Sequence, residues 1–100
     1  MLSGVISKEI GNLINLRFLQ FDSNQFSGEI PGEIGNAVNL ITADFQNNSF
    51  RGFMPGSLCA LRNPGFRLIR LVSDCGGNIP EVQCACCTEC VEGNVNNLVI

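Results

Sequence analysis

The chain contains no histidine, no tryptophan and no tyrosine. Without an imidazole, Ser-His-Asp and Cys-His nucleophilic sites, HExxH metal sites and histidine general bases are all excluded. Without tyrosine or tryptophan there is no stacking set to accompany a basic patch. Charge is sparse, at 15% of residues, and the net charge is -3, so neither nucleic acid nor an anionic membrane is expected as a partner. No apolar run approaches the roughly 18 residues of a membrane span, and no membrane insertion by this segment is expected. The opening stretch, MLSGVISKEI, lacks the basic start, long apolar run and small-residue cleavage site of a secretory leader. Glycine-rich pieces such as GEIPGEIG lack the Lys-Ser/Thr of a phosphate-binding loop.

What the chain does have is cysteine, asparagine, glycine and repetition. Six cysteines in 100 residues point to an oxidising compartment. Ile10 to Glu33 reads IGNLINLRFLQFDSNQFSGEIPGE, and Ile34 to Ser57 reads IGNAVNLITADFQNNSFRGFMPGS, an offset of 24. Ile10/Ile34, Gly11/Gly35, Asn15/Asn39, Leu16/Leu40, Phe21/Phe45, Asn24/Asn48, Phe26/Phe50, Gly28/Gly52 and Pro31/Pro55 all pair. A period in the twenties with apolar residues spaced LxxLxLxxNxLxG marks a solenoid, in which each coil buries what its neighbour leaves bare.

Within a coil, Leu19 and Phe21 alternate with Gln20 and Asp22, the pattern of a strand with one face inside, and Ala43 and Phe45 repeat it. Phe26 and Phe50, then Ile30 and Met54, are expected to fill the interior on the return path. Gly28 and Gly52 allow tight turning, and the prolines fix φ where no ladder donor is needed. Asn24 and Asn48 are expected inside the bend after each strand, as a ladder serving backbone groups of adjacent coils.

The pattern LxxLxLxxNxFSGEIPxEIGNxxNL resembles the plant-type leucine-rich repeat of receptor-like kinases and secreted inhibitor proteins, over Leu2 to Pro55. The resemblance implies a short right-handed solenoid of α/β type, with one parallel strand per coil and an irregular or 3-10 convex side. It also implies a concave recognition face at the variable strand positions: Phe18, Gln20, Asp22 and Ser23 of one coil beside Thr42, Asp44, Gln46 and Asn47 of the next. Phe18 is the expected anchor.

The third coil departs from the frame. RNPGFR displaces the register after Leu58 and Leu61, and the next strand is expected at Leu68 to Val72. Ile69 and Leu71 are then inward, about two positions late. Asp74-Cys75 stands where the ladder asparagine would be. The ending CGGNIPEVQCACCTEC resembles the cysteine-rich terminus of leucine-rich repeat proteins from diatoms and related algae, except that Val91 follows Cys90. Cys84-x-Cys86-Cys87-x-x-Cys90 contains two overlapping CxxC spacings, so a four-thiolate zinc site is chemically open. The favoured reading is disulfides among Cys59, Cys75, Cys84, Cys86, Cys87 and Cys90, stapling a cap that cannot build its own core, with no metal. Pairing is undetermined, save that the adjacent Cys86 and Cys87 should have separate partners.

No enzyme activity and no cofactor are expected. Glu9, Glu33 and Glu81 share one register of the 24-residue frame and stack along the outside rather than converging. Arg62, Arg67 and Arg70 read as a solvated surface. The expected organisation is a partial first repeat at 1–9, two full repeats at 10–57, a divergent last repeat at 58–74, a cap at 75–90 and a loosely ordered tail at 91–100. The start within a coil leads us to expect the C-terminal part of a longer extracellular or cell-surface array. Its first coil would be covered by further repeats upstream or by self-association. The expected function is non-catalytic recognition of protein, peptide or glycan. The alternatives are a structural or adhesion segment without a discrete ligand, or a zinc-binding or redox cysteine module. Asn47-Asn48-Ser49 is an N-x-S/T acceptor, so a glycan on Asn47 is expected if the chain is secreted.

Overall fold

A computed structural model describes residues 2–92, and the 24-residue repeat is written into its backbone. Phe18-Leu19-Gln20 and Thr42-Ala43-Asp44 become strands, β2 (Phe18–Gln20) and β4 (Thr42–Asp44). They pair in parallel, with Leu19 beside Ala43. The main sheet continues through Arg70–Ser73 to Glu89–Cys90, all parallel, and these two strands are β7 and β9 in chain order. Leu19, Ala43 and Leu71 form its buried row.

The third coil corrects the expected register. Ala43 pairs with Leu71, a spacing of 28 residues and thus four beyond the 24 of the earlier coils, not two. Leu68 and Leu71 point inward, whereas Ile69 is 70% exposed. The additional residues are taken up in the RNPGFR turn, which closes through Asn63 N–H to Ala60 O at 3.1 Å and Phe66 N–H to Asn63 O at 3.2 Å. Arg62 fastens that turn by donating from Nε to Cys86 O at 3.2 Å and from its terminal nitrogen to Leu68 O at 2.8 Å. It is therefore a clamp and not a merely wetted side chain.

The return path carries more structure than the sequence pattern indicated. β1 (Ser3–Gly4), β3 (Gln25–Gly28) and β5 (Ser49–Phe50) form a second parallel ladder. β6 (Gly52–Phe53) pairs with β8 (Val82–Gln83). Gly28, at φ 79°, makes the left-handed turn between ladder and convex side. Because β8 sets Val82 beside Gly52, 30 residues on, Glu81 leaves the row of Glu9 and Glu33 expected from a strict frame.

Convex turns are 3-10 helices at Lys8–Asn12 and Gly32–Asn36 and a short α-helix, α1 (Gly56–Ala60). Pro31 and Pro55 sit at the N-cap positions, where a missing N–H costs nothing and φ values of -71° and -58° suit the ring. Gly35 permits the close stacking of these turns: a Cβ there would lie 2.5 Å from Ser57 Cβ. Ser57 Oγ donates to Gly32 O at 2.6 Å across the same contact.

A file of four phenylalanines runs along the interior. Phe21 meets Phe26 and Phe45 at ring-centroid distances of 4.9 and 6.2 Å, and Phe50 meets Phe26 and Phe45 at 6.0 and 5.8 Å. The Phe26–Phe50 pair is stacked and the other three are tilted or edge-on, and such contacts add to the burial of large apolar surface. At the third coil the Phe45 position becomes Ser73, fully buried, and the half-buried cysteines Cys59, Cys84, Cys86 and Cys87 pack against the core instead. Sulfur takes over where the aromatic file stops.

Three disulfides close the cap: Cys59–Cys86, Cys75–Cys90 and Cys84–Cys87. Cys86 and Cys87 thus have separate partners. The first bond ties the cap to α1, and the second ties the segment just after β7 to β9. Of the expected tail, residues 93–100 lie outside the described residues.

Candidate recognition face

The main sheet sets its outward side chains in rows because parallel register keeps equivalent positions adjacent. By register, one row is Phe18, Thr42 and Arg70; the next is Gln20, Asp44 and Val72, with Glu89 beyond, and in this second row Asp44 and Val72 are buried. Phe18 is 59% exposed, Gln20 is exposed and Thr42 is half-buried. The structure therefore brings Phe18, Gln20 and Thr42 together on one open platform, at the β2 end of the sheet.

Asp44 stands differently. Arg70 Nε donates to Asp44 Oδ1 at 3.0 Å, and another Arg70 nitrogen lies 3.6 Å from Glu89 Oε1. The three residues form a charge chain across β4, β7 and β9, with Asp44 largely covered. Its carboxylate is already engaged, so a ligand would have to compete with Arg70 for it. Sequence reasoning did not place Arg70 on this face. The signal was present: Leu68-x-x-Leu71 repeats the spacing of Leu16-x-x-Leu19 and Leu40-x-x-Ala43.

At the far edge of the sheet, Ser23 and Asn47 adopt left-handed φ values of 57° and 61° and are exposed. Asp22 and Gln46 are half-buried beside them. Gln46 O accepts the Ser23 N–H at 3.0 Å, while Gln46 Oε1 is buried with no hydrogen-bond partner among the described residues. Asn47 donates its backbone N–H to Asp74 Oδ1 at 3.0 Å, which leaves its side chain outside.

Beneath the face lies the asparagine ladder. Asn48 Nδ2 lies within hydrogen-bonding distance of Phe21 O at 2.7 Å, Phe45 O at 3.0 Å and Gln46 O at 3.2 Å, and Oδ1 accepts from Phe26 N–H at 3.0 Å. Asn24 repeats the geometry one coil earlier, donating to Phe21 O and Asp22 O and accepting from Leu2 N–H. In the third coil Asp74 replaces the amide. Its two oxygens accept the N–H groups of Asn47 and Asn48 at 3.0 and 3.3 Å. Burial raises the Asp74 pKa above the ordinary carboxylate value; the two backbone N–H groups pull it back, and the Glu81 charge adds to the rise.

No helix among the described residues is long and apolar enough to cross a membrane. A family model described as Leucine Rich Repeat matches residues 15–37. No curated protein sequence matches the chain. Among solved structures, the plant peptide hormone receptor RGFR1 in complex with RGF2 is similar over 71% of this chain, with 34% identity and a TM-score of 0.61. The Arabidopsis receptor kinase HAESA, in complex with the peptide hormone IDA and the co-receptor SERK1, is similar over 82%, with 32% identity and a TM-score of 0.62. The chain spans 11% and 12% of those two chains, respectively.

Proposed function

With the chain taken as a leucine-rich repeat solenoid of the plant receptor-like type, we propose that it is a non-catalytic recognition module whose outward strand face meets a peptide or protein. One observation carries the reading: an exposed aromatic, Phe18, stands on a rigid parallel-strand platform beside Gln20 and Thr42. A regular sheet loses little conformational freedom on binding, and a large aromatic offers contact area at low entropic cost. The likeness to receptors solved with bound peptide hormones supports the same choice. Asp22, Ser23, Gln46 and Asn47 would form the polar rim, and Arg70, bridging Asp44 and Glu89, its charged border. Disulfides and the structural neighbours support an extracellular setting, in which Asn47 would accept a glycan at the edge of the face. Glycan recognition is the broader form of the proposal.

The second reading is a structural segment with no discrete ligand. It is favoured by the small size of the platform, for stable interfaces bury about 1,000 Å² or more. Further coils, or a second copy, against exposed Leu2, Val5, Leu13 and Ile14 would enlarge the surface. The test immobilises the oxidised chain and its Phe18→Ala and Thr42→Arg variants, and passes over each a defined library of extended peptides and a glycan array. Recognition by the face predicts species retained by the native chain and released about 30-fold more readily by Phe18→Ala, as for an anchor worth about 2 kcal/mol. Equal retention by all three would remove the face from consideration.

A further inference from the structure

Three consecutive coils enter the main sheet through equivalent stretches, 14–18, 38–42 and 66–70. At the centre of each is an inward leucine, Leu16, Leu40 or Leu68, and two residues before it stand Ile14, Val38 and Phe66, all exposed. The residue after it is Arg17, Ile41 or Ile69, kept in line by Ile41 N–H to Arg17 O at 2.7 Å and Ile69 N–H to Ile41 O at 3.0 Å. This entry flank therefore presents two rows of mostly apolar side chains, with the exposed amides of Asn15 and Asn39 between them. The middle coil shows that the exposure is not an effect of the solenoid's end. Val38 has a coil on either side and is still 49% exposed, whereas its neighbour Ala37 is 2% exposed.

Charge on this flank runs against that of the molecule. The chain has 9 acidic and 6 basic residues, yet the flank stretches hold Arg17, Arg67 and Arg70 and no carboxylate. Arg70 is engaged by Asp44 and Glu89. Arg17 and Arg67 are exposed and make no ion pair among the described residues. They stand at opposite corners of the flank: Ile69 is level with Arg17 two strands away, and Arg67 precedes Ile69 by two residues. With about 4.8 Å between strands and about 3.3 Å per residue, their backbone positions are about 12 Å apart. Midway between them is Leu40, buried, with Val38 and Ile41 to either side of it.

We propose that this flank docks an extended acidic–apolar peptide segment, in which two carboxylates bracket a large apolar side chain. The inference goes beyond the outward face and stands whether or not that face binds a ligand. Four residue steps of extended chain cover about 13 Å, so carboxylates at i and i+4 reach Arg17 and Arg67. The side chain at i+2 points the same way and comes down between Val38 and Ile41. Exposed ion pairs are individually weak, so the arginines select the partner while apolar burial retains it. A sulfated glycan would leave the apolar rows unused. An anionic bilayer is recognised by clusters of about 4–8 basic residues, and two unpaired arginines fall short of that.

The test passes the full oxidised chain over arrayed, end-blocked peptides with the core glutamate–serine–leucine–serine–glutamate. Counterparts carry glutamine or lysine in place of glutamate, or serine in place of leucine. Retention should fall about 10-fold with glutamine and about 10-fold with leucine removed. Val38→Ser should weaken retention of the glutamate core about 5-fold. The double variant Arg17→Glu, Arg67→Glu should reverse the preference and hold the lysine core over the glutamate core. All three positions are exposed, and an unchanged far-UV circular dichroism spectrum confirms that each variant is folded. Equal retention of the glutamate and lysine cores by the native chain overturns the proposal. So does a glutamate core that is lost on Phe18→Ala but kept by the double variant, which assigns it to the outward face. Retention of phosphatidylserine vesicles or a sulfated polysaccharide in place of the peptides overturns it too, as does a native dimer that the double variant disperses.

Discussion

Replacing Asn48 by alanine isolates the force that ties one coil to the next. Four contacts disappear, yet the structure shows that they are not equivalent. Phe21 O keeps the Asn24 amide at 3.1 Å, and Gln46 O keeps the Ser23 N–H at 3.0 Å. The groups that lose the partner recorded for them are the Phe26 N–H and Phe45 O, both on buried residues. Leaving a buried backbone group unsatisfied costs about 1–3 kcal/mol, so the substitution should destabilise by about 2–6 kcal/mol. That is a large share of the roughly 5–15 kcal/mol that holds a small domain together. Asn24→Ala is the internal control. Its contact to Leu2 N–H is exposed, water can replace it, and the expected loss is about 0.5–1.5 kcal/mol. Both variants should be followed in urea by far-UV circular dichroism with disulfides intact, because the chain has no tryptophan or tyrosine to report by fluorescence. A difference below about 0.5 kcal/mol between them, comparable to ordinary surface substitutions, would refute the ladder as the inter-coil tie.

Other consequences are equally open to measurement. Gly35→Ala drives a Cβ to 2.5 Å from Ser57 Cβ and should cost about 1–3 kcal/mol in urea; Gly32→Ala, 3.5 Å from Ser57 Oγ, should be close to neutral. Asp74 has a folded pKa raised above its unfolded value, so its contribution is fully present below the unfolded carboxylate pKa and is lost as pH rises through the folded one. The stability of the native chain should therefore fall with rising pH across that window relative to Asp74→Asn, and parallel pH profiles would show the coupling absent. Cys59→Ser releases the bond between cap and α1, across a sequence separation of 27, and should lower stability by about 2–4 kcal/mol. Intact-mass analysis should find the oxidised native chain about 6 Da below its fully reduced form, two hydrogens per pair.

The solenoid was legible because each buried position repeats. Phe26 and Phe50, or Asn24 and Asn48, report one physical requirement twice, and a coincidence does not do that. The third coil was only half legible. RNPGFR interrupts the repeat, and an inward Ile69 looked as reasonable as an inward Leu71 while only alternation was weighed. The four-residue expansion becomes visible when Leu68-x-x-Leu71 is laid against Leu40-x-x-Ala43. The second ladder was hidden for another reason. Its strands are two to four residues long, too short to show alternation. On the recognition face, sequence could place Phe18, Gln20 and Thr42 outward but could not see Arg70 reaching across to Asp44, because that contact depends on the shifted register. The cysteine pairing was beyond any spacing argument, since chain geometry alone decides that Cys59 meets Cys86.

Register is the quantity from which the stacked coils, the buried core and the outward face all follow. Methyl-resolved nuclear Overhauser spectra of the Ala43 side chain read it directly. Contacts from the Ala43 methyl to both Leu19 and Leu71 are predicted by the parallel pairing of the three coils. Contacts to Ile69 or Arg67 in place of Leu71, or none to Leu19, would contradict it.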